Sequence, residues 1–209
     1  MRAADVTISA LEVVDPPQAW SDLGFVVDDA TCWVSGIRFR LGAEGRGIVS
    51  WALRGLDVHD LDGLATSPSD EEPQPTPAHP NGVVALDHLV VTTPDISRTV
   101  DAVEATGLAL RRVRDTDQYG PPFRQAFFKL AEVVLEVIGP VEPRSEKPAR
   151  FFGLAFTVDD LDATAAWLGD RLHRPKDAVQ PGRRIATLDK GAGSAVAMAF
   201  MSPGVMSVR

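Results

Sequence analysis

"LDHLVVTTPDISRTVDAVEATGL", residues 86–108, holds a strand, a Pro-Asp turn and an amphipathic helix in that order. The run from Leu86 to Thr92 is β-branched and apolar, and Pro94 ends it. Asp95 stands where a carboxylate accepts from the free N–H groups of a first helical turn. Ile96, Val100 and Val103 then keep helical spacing. The layout returns in "FGLAFTVDDLDATAAWLGDRL", residues 152–172, with Asp160 at the cap and Leu161, Ala165 and Leu168 on the apolar face. His88 falls on Gly153 at an offset of 65, as Asp95-Ile96 falls on Asp160-Leu161.

Three strand-like runs follow each helix. In the first copy they are "LALRRVR", "RQAFFKL" and "VVLEVIGP"; in the second they are a weakly marked run near "HRPKDAV", then "RRIATLD" and "AVAMAFMSP". Residues 83–140 and 151–203 are therefore two βαβββ modules. One copy cannot bury both faces of its sheet, so two are expected to pair. The predicted class is α+β, with paired modules forming one cupped, mixed β-sheet.

Upstream, "TSPSDEEPQPTPAHPNG", residues 66–82, is rich in Pro and acidic residues and has little to bury. It is expected to be an exposed linker, partly extended. Residues 1–65 precede it. There "ISALEVVDPPQAWSDLGF" reads as strand, Pro turn and short helix, and "ATCWVSGIRFRLG" and "GIVSWALRGL" read as two strands. This segment is expected to be a degenerate third module, or a β-rich extension packed on the domain formed by residues 83–209. An odd module leaves one face to cover, and Trp20, Trp33, Trp51, Phe25 and Phe39 give that segment more aromatic area than it can hide alone. A homodimer is expected on that ground.

A net charge of −8 argues against a duplex nucleic-acid binder. Cys32, the only cysteine, rules out an intrachain disulfide and a multi-thiolate zinc site. No apolar run is long enough to span a bilayer and no secretory h-region follows Met1, so a cytoplasmic protein with no membrane partner is expected. There is no Gly-rich phosphate loop, no nucleophile elbow and no Cys-His pairing; "GAGS", residues 191–194, reads as a hairpin turn.

Side-chain alternation places His88 with Leu86, Val90 and Thr92 on one face of the first strand, and Leu89 and Val91 on the helix side. On the last strand Glu136 shares a face with Val134 and Ile138. A carboxylate inside "VVLEVIG" needs a partner if buried, and His88 or a metal would serve. In the second module the concave set becomes Gly153, Ala155 and Thr157, with Ala197, Ala199 and Met201 opposite.

The paired order, with "LDHLVVTTPDI", "VVLEVIGP" and "FGLAFTVDDL" as its clearest pieces, resembles the vicinal oxygen chelate superfamily, which includes glyoxalase I, bleomycin-resistance proteins and extradiol dioxygenases. The resemblance implies a cup with a divalent metal at its base, held by residues on the first and last strand of each module. Carried over, those positions are His88 and Glu136 in the first module, and Gly153 and Ala199 in the second. His and Glu suit zinc, nickel, iron or manganese, but three protein ligands are usual for catalytic zinc. Of the other histidines, His59, His79 and His173, none has a spacing that points it into the cup; a partner subunit is another source.

Two function classes follow. One is a protein that binds a small molecule in the cup, with His88 and Glu136 a vestigial or partial metal site. The other is a metal-dependent lyase, isomerase or dioxygenase that takes a further ligand from elsewhere and uses Glu136 as the catalytic base. Val90, Thr92, Tyr119, Arg124, Thr157, Ala197 and Met201 are the candidate substrate contacts. Alternation leaves open which face of residues 123–130 lines the cup.

Overall fold

The computed structural model describes residues 6–117 and 121–204. Its first sheet has six strands. β1 (Thr7–Val13) leads through a one-and-a-half-turn helix, α1 (Pro17–Asp22), to a hairpin of β2 (Thr31–Val34) and β3 (Ile37–Leu41). β4 (Ile48–Arg54), β5 (Asp60–Leu61) and β6 (Leu64–Pro68) follow, and the order across the sheet is β2-β3-β1-β4-β6-β5. Sequence reading took residues 30–42 as one strand. They are two, because Ser35 and Gly36 both hold positive φ (52° and 72°) and close a two-residue turn.

The second sheet has eight strands. β7 (Val83–Thr92), α2 (Ile96–Glu104), β8 (Leu110–Thr116), β9 (Phe123–Leu130) and β10 (Val133–Pro140) form one module. β11 (Arg150–Val158), α3 (Leu161–Leu168), β12 (Lys176–Asp177), β13 (Arg184–Thr187) and β14 (Ala197–Met201) form the other. The order is β12-β13-β14-β11-β7-β10-β9-β8, with the two leading strands antiparallel at the centre. Each leading strand lies parallel to the last strand of its own module. His88 pairs with Val134 and Val90 with Glu136; at the repeat offset, Gly153 pairs with Ala197 and Ala155 with Ala199. The repeat is thus kept to the residue. Both caps are as expected: Asp95 Oδ1 accepts from Arg98 N at 3.1 Å, and Asp160 Oδ1 from Asp162 N and Ala163 N at 2.9 and 3.0 Å.

The same pattern, shortened, builds the first sheet. β1 is parallel to β3 and β4 is parallel to β6, while β1 and β4 run antiparallel at the centre. β4, expected as the last strand of a single worn copy, instead opens a second one. The N-terminal sheet has the layout of two truncated modules.

The Pro-rich stretch is not a free linker. Thr66–Pro68 complete β6, and His79 and Asn81 are buried. Val26 N donates to His79 Nδ1 at 3.0 Å, while His79 Nε2 lies 3.1 Å from Trp33 O. Asn81 Nδ2 donates to Leu23 O at 2.8 Å. The acidic part is held as well: Arg38 pairs with Glu71 at 2.7 Å.

The N-terminal sheet packs on the convex side of the second sheet. Trp20, Phe25 and Phe39 surround Phe156 of β11, with ring centroids 6.1, 5.2 and 5.8 Å away. Two polar ties fix the arrangement. Buried Asp15 accepts from Trp20 Nε1, Ser194 Oγ and Ala195 N at 3.1, 2.6 and 2.6 Å. Asp62, at the β5–β6 turn, binds Arg98 Nε of α2 at 2.7 Å and also accepts from Thr99 Oγ1. Most of the aromatic area that suggested a dimer is covered within the chain: Trp20, Trp51, Phe25 and Phe39 are buried, and Trp33 is half-buried. Trp167 is 44% exposed on α3, under the Arg171 guanidinium.

Candidate functional site: a cationic cup with one polar corner

The concave face of the eight-stranded sheet encloses about 1410 Å³, between β8 on one side and residues 176–181 on the other. His88, Val90, Val134 and Glu136 line its base, as their pairing requires. Gln125, Phe127 and Lys129 line the wall from β9, which settles the face of residues 123–130.

Strict alternation fails at two places on β7, Val84 and Asp87, and the second lies at the site. Ala155 pairs with His88 and Phe156 with Leu86, so Asp87 is an extra residue in the ladder. Leu86 thereby turns to the convex side with Leu89 and Val91, all buried. Asp87 and His88 turn to the same side instead of opposite ones. His88 Nδ1 lies 2.5 Å from Asp87 Oδ1, a close contact that lacks the direction of a hydrogen bond. Arg183 Nη2 donates to Asp87 Oδ2 at 2.5 Å and Thr157 Oγ1 to the same oxygen at 2.7 Å. Burial alone would raise the Asp87 carboxyl. The contacts with His88, Arg183 and Thr157 outweigh it and hold the group well below the usual carboxylate range.

Glu136 is the opposite case. Burial pushes its carboxyl above the ordinary value, against the pull of His88, a hydrogen bond from Gln125 Nε2 to Glu136 Oε1, and the charge of Arg114. Gln125 Oε1 is buried without a hydrogen-bond partner. Such atoms are rare in folded proteins and are satisfied when a ligand or water meets them.

The second module offers no polar counterpart. A Cβ on Gly153 would stand 2.5 Å from Ala197 O and 3.0 Å from Ala197 Cβ. No side chain fits there unless β11 and β14 separate. Ala155, Ala197 and Ala199 complete that half of the base.

Residues 87–187 match the model of the glyoxalase/bleomycin resistance protein/dioxygenase superfamily. This domain belongs to the vicinal oxygen chelate superfamily. A solved structure of a triple mutant of 4-hydroxymandelate synthase from Streptomyces coelicolor is 13% identical, covers 95% of this chain and 92% of its own, and has a TM-score of 0.65. It shares the fold. Methylmalonyl-CoA epimerase from Mycobacterium tuberculosis covers 59% of this chain and 90% of its own, at 20% identity and a TM-score of 0.48. No curated protein matches the chain.

Against the vicinal oxygen chelate frame, two of the four ligand positions hold donors, His88 and Glu136. Gly153 and Ala199 hold none, and Gly153 is sterically closed to one. Among the described residues no group of three or more His, Cys, Asp and Glu side chains is placed to hold a metal ion. His59 is exposed beside Asp57, His79 is bound to the N-terminal sheet, and His173, on the cup wall, lies 3.6 Å from Asp189. The donor set does not fit a metal centre of the kind the superfamily implies.

Of the expected substrate contacts, Val90, Ala197 and Met201 line the cup. Three do not. Arg124 points to the other face of β9 and is held by Asp115 through two bonds of 2.7 and 2.8 Å. Thr157 is spent on Asp87, and Thr92 accepts from Arg150 Nε at 3.3 Å. Tyr119 lies outside the described residues. Sequence reading missed Asp87 as a neighbour of His88, since alternation separates adjacent residues. It missed Arg183 too, whose contact with Asp87 spans 96 positions and leaves no local signal.

Proposed function

We propose that this protein binds a small molecule in the cup without a metal, and that His88, Glu136 and Gln125 are its polar contacts. The observation that carries this reading is Gly153. The second module has not merely lost a ligand; its strands have closed over the place where one would stand. Small residues on that side widen the base, and the unpaired Gln125 Oε1 offers an acceptor to a ligand N–H or O–H. Elemental analysis of the purified protein beside its His88→Ala and Glu136→Ala variants tests it. Equal metal content in all three supports the reading; a stoichiometric metal lost in either variant would restore the metal-dependent class.

A second reading has Glu136 as a proton-transferring base. Its carboxyl is raised by burial and it sits at the cup base, which suits exchange nearer neutral pH than a free carboxylate allows. The proposed division of the chain is a packing unit of residues 1–65, a bound connection of residues 66–82, and the cup domain of residues 83–209. With its aromatic face buried internally, the chain no longer requires a second copy, and we infer a monomer in place of the expected homodimer.

A further inference from the structure

The cup is cationic in a chain that is acidic. Arg111, Arg112, Arg114, Lys129, Lys176 and Lys190 line it, against Glu136, Asp177 and Asp189. The whole chain carries −8, so this excess of positive charge is local. The arrangement on β8 is specific. Leu110 pairs with Phe128 and Arg112 with Phe127, so Arg111 is an extra residue in the ladder. The irregularity brings two consecutive side chains, Arg111 and Arg112, to the cup instead of one. Neither Arg111 nor Arg112 forms an ion pair or side-chain hydrogen bond among the described residues. Two unpaired guanidiniums side by side repel each other, and an anion between them removes that cost.

The same cup holds apolar side chains that find no cover in the chain. Phe152 is 53% exposed and Val179 is 56% exposed, and both line it. Phe127, the cross-strand partner of Arg112, lines it too, so apolar side chains stand both beside the β8 arginines and elsewhere around the same cup. We infer that the ligand is an amphipathic organic anion: an apolar body seated on Phe127, Phe152 and Val179, and an acidic group, such as a carboxylate or sulfonate, held by Arg111 and Arg112. This rests on the cup being a binding site and adds the chemical class of what it takes.

The test compares anilinonaphthalene sulfonate with phenylnaphthylamine, its uncharged parent, by fluorescence titration of the full chain. The sulfonate is expected to bind about tenfold more tightly than the parent, since one charge-assisted contact has about that worth. Raising the salt concentration should narrow the gap. The Arg111→Glu/Arg112→Glu double variant, whose changes lie on an exposed edge strand, should abolish the preference and leave the parent's binding unchanged. A cup-blocking change, Ala199→Trp or independently Val90→Trp, should remove both. Equal binding of the two probes, or a preference that survives the double variant, overturns the anion inference alone. Binding that neither blocking change reduces in a folded variant places the probes elsewhere and overturns the binding-cup reading with it.

Discussion

Asp87 and Glu136 are two carboxylates at one site, and their surroundings push them in opposite directions. Asp87 is held low, so its folded value lies below the ordinary 3.8. The stability it contributes is present above that value and is lost as the pH falls through the folded one. Asp87→Asn should destabilise the protein at neutral pH by about 1–3 kcal/mol, because Arg183 keeps its burial and loses its anion. Urea unfolding at neutral and acid pH checks it: the gap between the two proteins should shrink as the pH falls below 3.8. Glu136 has the reverse sign. Its folded value is raised above 4.5, so stability falls as the pH rises past 4.5 towards it. Glu136→Gln should flatten that fall; an unchanged slope would mean Glu136 is not the buried, uncompensated carboxylate described. Cys32 gives a simpler check. Burial pushes its thiol up to about 12, so a thiol reagent at about pH 8 should react only after denaturation.

At the scale of elements, periodicity made both helices, their Asp caps and the long strands of residues 83–203 legible. Interruptions to periodicity were not. The extra residues at Asp87 and Arg111 leave no mark in composition, yet the first sets a carboxylate against His88 and the second sends Arg111 and Arg112 into the cup. The turn at Ser35-Gly36 was hidden because "WVSGIR" is apolar enough to pass as continuous strand. The Pro-rich stretch is mostly exposed and extended, as expected, but it is tied down near its end. Its composition reports how little it buries in itself, whereas His79 and Asn81 are anchored by partners more than 40 residues away. His79→Ala should cost about 1–3 kcal/mol, as both backbone groups it serves would be left unpaired. Burial holds the His79 ring below its ordinary value, against the hydrogen bond to Trp33. The contribution of the neutral ring is therefore present above 6.5 and weakens as the pH falls below it, which thermal melts between neutral and mildly acid pH would register.

For the molecule as a whole, two sheets share one core and divide the labour. The N-terminal sheet closes the convex face around Phe156, and the concave face is left open as the cup. A chain starting at Asn81 would expose Phe156 and the apolar surface beside it, and should aggregate or fail to fold. Light scattering showing a soluble, folded monomer would make residues 1–65 dispensable. No helix among the described residues is long and apolar enough to cross a membrane. The pairing of modules was readable because it repeats at nearly one offset, 65 on the first strands and 63 on the last. The two truncated modules of the first sheet were not, since the second of them has lost its helix, the element that marks a module in sequence.

The central claim is that the superfamily's metal site has become a ligand site here. Titration of the purified protein with cobalt(II), followed by its visible absorption and by equilibrium dialysis, tests this most directly. The account predicts no saturable uptake and the same spectra for the parent protein and its His88→Ala variant. One equivalent of cobalt bound with a tetrahedral or five-coordinate spectrum, and lost in His88→Ala, would contradict it.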